Sequence, residues 1–436
     1  MASLVCFPFK KERIDVVLKN VRIAAKHSRV SVVLLVAAGK NETYEGIAKE
    51  IPAIEQANGK KIILKVQERV GSLRPGKGDG MNSALKIFHD YRPKLQRLHF
   101  YDADIESFSP LWISKAEDSA DLEYDLVRHY FPRSSTDAQI TWQVTRVGFS
   151  LLWPHKNIAH IQQPLGGELL MSRRAVKVFL DSPEVMERSD WGIDTMYTFA
   201  AVKSGLSINE IYVPQGKLHA LYGGLRDLKT MLIECFDAVQ TIKKEIIDTN
   251  SVHHVQAGEA VPVEVREKIG YDIEKSLELL RENWTTEQET LLKLFPDRIA
   301  SGLMSARNFP KWGFMDEAAW VNAYRVLLDN FDKDNEDWCE LLFKLWVSRV
   351  IHYTMRHVLR GYDAALSELN AMVRNVQLSS GKKVIQKRKE LVKSSPLIGE
   401  PPSPTTSYLS ATSEEQIGAG LGLGETPPFH SSIPSV

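Results

Sequence analysis

The chain has 436 residues, enough for two domains and a sizeable core. Its 55 basic and 55 acidic residues cancel, so no excess charge points to nucleic acid. Three cysteines, Cys6, Cys235 and Cys339, lie far apart without a CxxC pair or a disulfide framework, and no run reaches the roughly 18 apolar residues of a membrane span. The expectation is a cytoplasmic protein with no nucleic-acid or membrane partner. The opening MASLVCFPFKKERID has too short an apolar run, with its basic residues on the wrong side, to be a secretory signal.

SLVCFPF reads as a strand, and ERIDVVLKNVRIAAKHS as an amphipathic helix with Val16, Val17, Val21 and Ala24 near helical spacing. SVVLLVAAG is a second buried strand, and NETYEGIAKEIPAIEQANG a helix interrupted by Pro52. KKIILKVQE is a third strand, GMNSALKIFHDY a helix, and RLHFYDAD a fourth strand. DLVRHYFPR and SINEIYVP are later strands, with helical patterns around TWQVTRVGFSLLW, ELLMSRRAVKVFL and WGIDTMYTFAAVKSG between them. This alternation predicts an α/β fold on a mostly parallel sheet covered on both faces.

After about residue 225 the strand signal disappears. LRDLKTMLIECFDAVQTIKKEIID reads as one long helix, followed by a polar loop in which His253 and His254 are solvated. IEKSLELLRENW, EQETLLKLFPD, MDEAAWVNAYRVLLDNF and WCELLFKLWVSRVIHYTMRHVL are helical, and their Trp and Leu stripes suit core or subunit contacts. GKKVIQKRKELVK reads as a fraying basic helix end, and the Ser-, Pro-, Thr- and Gly-rich remainder as a disordered tail. The divisions expected are 1–224 α/β, 225–381 helical with a role in homo-oligomerisation, and 382–436 tail.

The chemistry concentrates in a few segments. In LHFYDAD a strand pattern ends in Asp102 and Asp104. Ligands of open α/β sheets sit at such ends, and paired carboxylates suit a hard divalent cation, which in turn suits a diphosphate. Before it, GSLRPGKGDG (71–80) nearly matches a P-loop, but Gly78 stands where the metal-binding hydroxyl is required. Its glycines either admit a ligand close to the backbone, with Lys77 offering charge to a phosphate, or form a tight turn capping a helix. SDWGID places Asp194 near a helix N-terminus, as a ligand-facing group or a first-turn carboxylate. His219, in VPQGKLHALY after a strand, is either structural or a neutral imidazole ligand to a metal held by Asp104. Arg133, in RHYFPRSSTDAQIT, either grips a ligand carboxylate in fork geometry or pairs with a surface acid. Asp332-Lys-Asp334 repeats the Asp-x-Asp spacing but lacks the glycine of an EF-hand loop, and reads as a solvated turn.

Taken in order, these segments resemble a GT-A glycosyltransferase. The longer motifs SLV-FPFK, QER-G-LRPGKGDGMN-AL, HFYDADI, LVRHYFPR-STDA-ITW, QPLGGELLM, RSDWGIDT-YTF and LYGGL-DL, with GYD and FMDE-AW in the helical part, closely resemble the mannosylglycerate synthase family over roughly residues 3 to 365. The resemblance implies transfer of mannose from GDP-mannose to the 2-hydroxyl of D-glycerate, with retention and with a divalent metal, Mg²⁺ or Mn²⁺, as cofactor. It implies a donor pocket of Pro8, Phe9, Lys10, Lys11, Glu12, Val36, Gln67, Lys77, Asp102, Asp194 and Tyr222. It implies Asp104 and His219 as metal ligands, and Arg133, Ala138, Gln139, Ile140, Thr141 and Leu165 at the acceptor. Asp194, Lys77 and Leu165 carry the catalytic roles in this reading. Ala220 stands where bacterial members of the family have arginine, and Gln139 where the pattern has methionine. A glucosylglycerate-forming or other GT-A transferase, and a non-catalytic sugar-nucleotide sensor, are the competing readings.

Overall fold

SLVCFPF is apolar throughout because both of its faces are covered. It forms β1, Ser3–Phe9, in the computed structural model, which describes residues 2–219, 223–258, 269–309 and 311–394, with side chains to 379. Leu4 and Cys6 enter one hydrophobic cluster, while Val5, Phe7 and Phe9 enter another on the opposite face. The period-two alternation of strand side chains divides the run in this way.

β2 (Val30–Ala37) and β4 (Arg97–Phe100) flank β1 in parallel, and β3 (Lys61–Val66) extends the sheet beyond β2. β5 (Leu126–Tyr130), β6 (Leu169–Ser172), β7 (Ile208–Tyr212) and β8 (His253–Val255) complete the eight-stranded order β3-β2-β1-β4-β6-β5-β7-β8. β6 runs antiparallel to both neighbours, β4 and β5. Its first residue, Leu169, therefore lies opposite Phe100, the last of β4. The entrance to β6 thus shares an edge with the carboxyl ends of the parallel strands.

Several local expectations change. LLMS is β6 rather than part of a helix; a short apolar run carries no period that separates the two, and the helix Arg173–Asp181 starts only after Ser172 caps it. Pro52 sits inside a continuous helix, Glu42–Asn58, whose Asn41 cap and buried Ile47 and Ile54 outweigh the one lost backbone bond. His253 and His254 belong to β8, where His253 Nε2 lies 3.0 Å from Glu210 Oε2 and His254 Nδ1 lies 2.9 Å from Asn209 Oδ1. The long helix expected after residue 225 is a 3₁₀ turn, Leu225–Leu228, followed by the helix Lys229–Thr241. Asp332 and Asp334 lie in an exposed turn, with Asp332 Oδ1 accepting from the Asp334 N–H.

Met1–Ile385 form one compact unit. Its larger hydrophobic cluster takes in Leu4 on β1, Met81 and Phe88 on the helix Lys77–Asp90, and Trp320, Trp346 and Val376 of the helical region. The helix Gly361–Ser394 continues through the basic run, and its residues 386–394 lie outside that unit. The three cysteines are free and buried. Among the described residues no helix is long and apolar enough to cross a membrane.

One irregular element adjoins the site. Thr141–Thr145 is a π-helix, with the Arg146 N–H donating to the Thr141 carbonyl, and it continues into the helix Arg146–Leu152. The helical region holds this wide turn in place. Trp320 Nε1 donates to Gln143 O at 2.7 Å, Tyr324 Oη to Val144 O at 2.9 Å, and Arg349 Nε to Gln143 Oε1 at 2.9 Å.

Candidate active site

The carboxyl ends of β1, β2, β3 and β4 open on one cavity of about 660 Å³. β1 delivers Pro8, Phe9, Lys10 and Glu12 to its wall; β2 delivers Val36; Gln67 follows β3; and Asp102 and Asp104 follow β4. Lys77 and Asp194 line it from the first turns of the helices Lys77–Asp90 and Ile193–Lys203. Arg133, Ala138, Gln139, Ile140, Thr141, Leu165 and His219 line it from the loops after β5, before β6 and after β7. Lys11 is exposed and does not line the cavity, because the chain turns outward at the end of β1 and alternate residues face away. Tyr222 and Ala220 lie outside the described residues.

Arg74, Pro75, Gly76, Lys77 and Gly80 of the glycine loop line the cavity, and the loop is also locked against a neighbouring segment. The Gly78 N–H donates to Asp190 O and the Asp79 N–H to Ser189 O, each at 3.2 Å, so this helix N-terminus is spent on the neighbouring SDWG segment. A Cβ at Gly78 would lie 2.3 Å from the Arg188 carbonyl oxygen, so the glycine serves a backbone-to-backbone contact. Asp79 ties down the other end of the loop, accepting from the Val70 N–H at 2.8 Å and from Arg69 Nη1 at 2.7 Å. Lys77 is likewise engaged: its Nζ lies 3.0 Å from Asp194 Oδ2 and 3.3 Å from Asp102 Oδ1. Burial alone would lower the proton affinity of Lys77, but Asp102 and Asp194 raise it well above the ordinary lysine value.

Asp102 is gripped twice. Besides Lys77, Lys217 Nζ lies 2.6 Å from its Oδ2. Burial works to raise the Asp102 pKa, yet Lys217 and Lys77 hold it well below the usual carboxylate range. Asp104 has the opposite balance. Burial, with Asp102 close by, raises its pKa against the pull of Lys217 and His219. The second carboxylate of the Asp-x-Asp therefore faces the cavity with negative charge that the protein only partly neutralises.

His219 lies between two acids. Its Nδ1 is 4.0 Å from Asp104 Oδ2 and its Nε2 is 3.8 Å from Asp137 Oδ2. An ion with ligand distances of about 2.0–2.2 Å can span Asp104 and His219, and a carboxylate behind the other ring nitrogen is the usual support for a ligating imidazole. Among the described residues no group of three or more His, Cys, Asp or Glu side chains is arranged to hold a metal. A pair of protein ligands suffices where substrate phosphates complete the shell, as is common for Mg²⁺.

In the loop after β5, the Arg133 guanidinium sits 4.6 Å over the Phe131 ring and 3.4 Å from Asp137 Oδ2. Burial raises the Asp137 pKa, but Arg133 and His219 together draw it far below the ordinary value. Ala138 adopts φ 54°, a left-handed conformation uncommon outside glycine, and its N–H donates to Asp137 Oδ1 at 2.6 Å. Gln139 Nε2 donates to Ser135 O and Asp137 O at 3.2 and 3.3 Å, leaving Oε1 buried without a partner. Among the described residues, Asp194 Oδ1 is likewise buried without a hydrogen-bond partner.

Sequence reasoning missed Asp137 and Glu168 as lining residues, and considered Lys217 only as a cation for phosphate, not as a partner of Asp102. Each lies within a quoted motif or beside a chosen residue. Their roles arise from ion pairs across the fold, such as Lys217 with Asp102, which no local spacing reveals.

The sequence model of the mannosylglycerate synthase GT domain matches residues 3–241, and that of the mannosylglycerate synthase C-terminal domain matches residues 265–373. The mannosylglycerate synthase of Selaginella moellendorffii is 56% identical over 381 residues, covering 87% of this chain and 90% of that protein. The mannosylglycerate synthase of Rhodothermus marinus is 51% identical over 371 residues, covering 85% and 93%. Among solved structures, glucosyl-3-phosphoglycerate synthase from Mycobacterium tuberculosis with phosphoglyceric acid gives a TM-score of 0.43 at 18% identity, covering 55% of this chain and 79% of that chain. The two domain matches and the near-complete overlap with both relatives place the chain in one group: it belongs to the mannosylglycerate synthase family.

Proposed function

We propose that the protein transfers mannose from GDP-mannose to the 2-hydroxyl of D-glycerate, with retention, giving 2-O-(alpha-D-mannosyl)-D-glycerate and GDP. The observation that carries this reading is Asp194: Oδ2 is fixed by Lys77, while Oδ1 is buried with no donor among the described residues, as a carboxylate poised for a sugar hydroxyl would be. Mannosylglycerate as product is supported by the names of both relatives.

The nucleotide lies along the ends of β1 to β3, and Asp102, Lys77 and Asp194 meet the ribose and hexose. A divalent ion, Mg²⁺ or Mn²⁺, held by Asp104 and His219, would neutralise charge on the departing diphosphate. Arg133 binds the glycerate carboxylate through charge-assisted hydrogen bonds, and Gln139 Oε1 is available to an acceptor hydroxyl. Leu165 packs beside the reacting carbon. A retaining double displacement needs two carboxylates about 5 Å apart around that carbon, and Asp102, the described carboxylate that shares Lys77 with Asp194, has both its oxygens held by lysines. The acceptor hydroxyl instead attacks on the face the leaving group quits. Its proton passes to the leaving phosphate oxygen as the new glycosidic bond forms and the old one breaks.

The test is turnover by the full-length protein with GDP-mannose, GDP-glucose, D-glycerate and Mn²⁺ or Mg²⁺, with product identified by NMR. Mannosylglycerate should form, and EDTA should abolish it. Asp104→Ala should lower kcat by about 10²-fold or more. No sugar transfer under any of these conditions sinks the proposal; preference for GDP-glucose would move it to glucosylglycerate. Undiminished turnover in EDTA would remove the metal from it.

A further inference from the structure

Five charged side chains alternate in sign along the cavity floor: Glu168, Lys217, Asp102, Lys77 and Asp194. Lys217 Nζ lies 2.6 Å from both Glu168 Oε1 and Asp102 Oδ2. Lys77 Nζ lies 3.3 Å from Asp102 Oδ1 and 3.0 Å from Asp194 Oδ2. Each oxygen of Asp102 thus has its own ammonium, and the two ends of the chain, Glu168 and Asp194, are almost wholly buried. In such surroundings, a charge that leaves its partner strands another in a poorly solvating medium. The chain therefore favours one arrangement over any partly broken alternative.

Gly167 closes this arrangement from behind. A Cβ at 167 would stand 2.6 Å from Asp102 Oδ1 and 2.7 Å from Lys77 Nζ. The backbone there does not need glycine, since its φ lies outside the left-handed region. What needs the bare backbone is the Asp102–Lys77 pair. A methyl group would force that pair aside while leaving every charge in place. The next residue, Glu168, anchors Lys217 and so fixes the other oxygen of Asp102.

We propose that Gly167 and Glu168 are positioning residues for the donor site, which together seat Asp102 and Lys77 in one geometry at the mouth of β6. The inference rests on the reading of this cavity as a nucleotide-sugar site. It concerns neither substrate contact nor metal ligation by these two residues. Gly167 acts by leaving space, and Glu168 acts through Lys217.

The experiment compares wild type, Gly167→Ala and Glu168→Gln as full-length proteins. It measures kcat, both Michaelis constants, thermal stability, and GDP affinity by calorimetry with Mn²⁺. Gly167→Ala should lower kcat/KM for GDP-mannose by about 10²-fold, the penalty typical of a misplacement near 1 Å. Its melting temperature should fall only modestly, because the displaced Asp102 and Lys77 line the cavity rather than the hydrophobic core. The KM for glycerate should stay within about twofold of wild type. Glu168→Gln should show the same pattern at roughly tenfold, since the amide keeps one bond to Lys217 but loses the ion pair. A folded Gly167→Ala protein with wild-type donor kcat/KM overturns the inference. If that variant does not fold, an unchanged donor kcat/KM in Glu168→Gln overturns it instead. Equal losses for donor and acceptor would mean a general structural role and also overturn it. A wild-type protein that transfers no sugar refutes the parent reading and this inference with it, whereas an active wild type with indifferent variants refutes this inference alone.

Discussion

Arg133 is held over Phe131 and beside Asp137 before any ligand arrives. Such an arginine loses little freedom on binding, so its contact with a carboxylate should be worth roughly 2–3 kcal/mol. Arg133→Ala should accordingly lower acceptor kcat/KM by that amount and leave GDP affinity near wild type. Calorimetry and steady-state kinetics on one preparation will separate these effects, and equal loss on both sides would assign Arg133 a general role. At this scale the sequence was a partial guide. Asp102 and Asp104 were legible because an apolar run ending in two acids fixes where they lie. Asp137 sits four residues after Arg133, yet its hold on both Arg133 and His219 depends on how two loops meet. Lys77 was legible as a residue but not in its partners. It faces Asp102 and Asp194 because the glycine loop is locked against residues 188–190.

Among the elements, β4 is secured by a buried ionic cluster beneath the site. Glu117, on the helix Pro110–Ala120, meets His99 Nε2 at 2.8 Å and also bonds Ser3 and Arg97. Burial would raise the Glu117 pKa, but His99, Ser3 and Arg97 bring it down to about 2. On β5, burial of His129 lowers its pKa to about 4, against the opposing effect of the Trp112 and Glu168 carbonyls, which can accept from its ring. Both shifts are downward, so both groups favour the fold at neutral pH. The His129 contribution should fade as pH falls from about 6.5 to 4, and that of Glu117 from about 4.5 to 2. Melting temperature should thus decline in two overlapping stages, and Glu117→Gln should flatten the lower one. Parallel wild-type and Glu117→Gln profiles below pH 4.5 would contradict this. The elements themselves were readable where period and length agreed, as in β1 and β2. They were not where an apolar run was too short to show a period, as in β6, or where polar residues joined a sheet edge, as in β8. The π-helix had no signature in composition, because its extra residue is stabilised by Trp320, Tyr324 and Arg349 from far along the chain.

Across the whole molecule, one hydrophobic cluster joins the sheet to the helical region, and the family match ends at residue 373. Removing residues 395–436 should therefore leave kcat, both Michaelis constants and the melting temperature near those of the full chain. A folded truncation with weakened donor or acceptor kinetics would show that the segment reaches the cavity. The π-helix that ties these regions together also divides their responsibilities. On the proposed assignment, the donor half of the cavity is written into strand ends and a buried chain of charges, where an exchange disturbs a charged neighbour. The acceptor half leans on a wide turn that distant indole, phenol and guanidinium groups keep open. A lineage could reshape which small acid is glycosylated by altering those distant supports, leaving the sugar-nucleotide grip untouched.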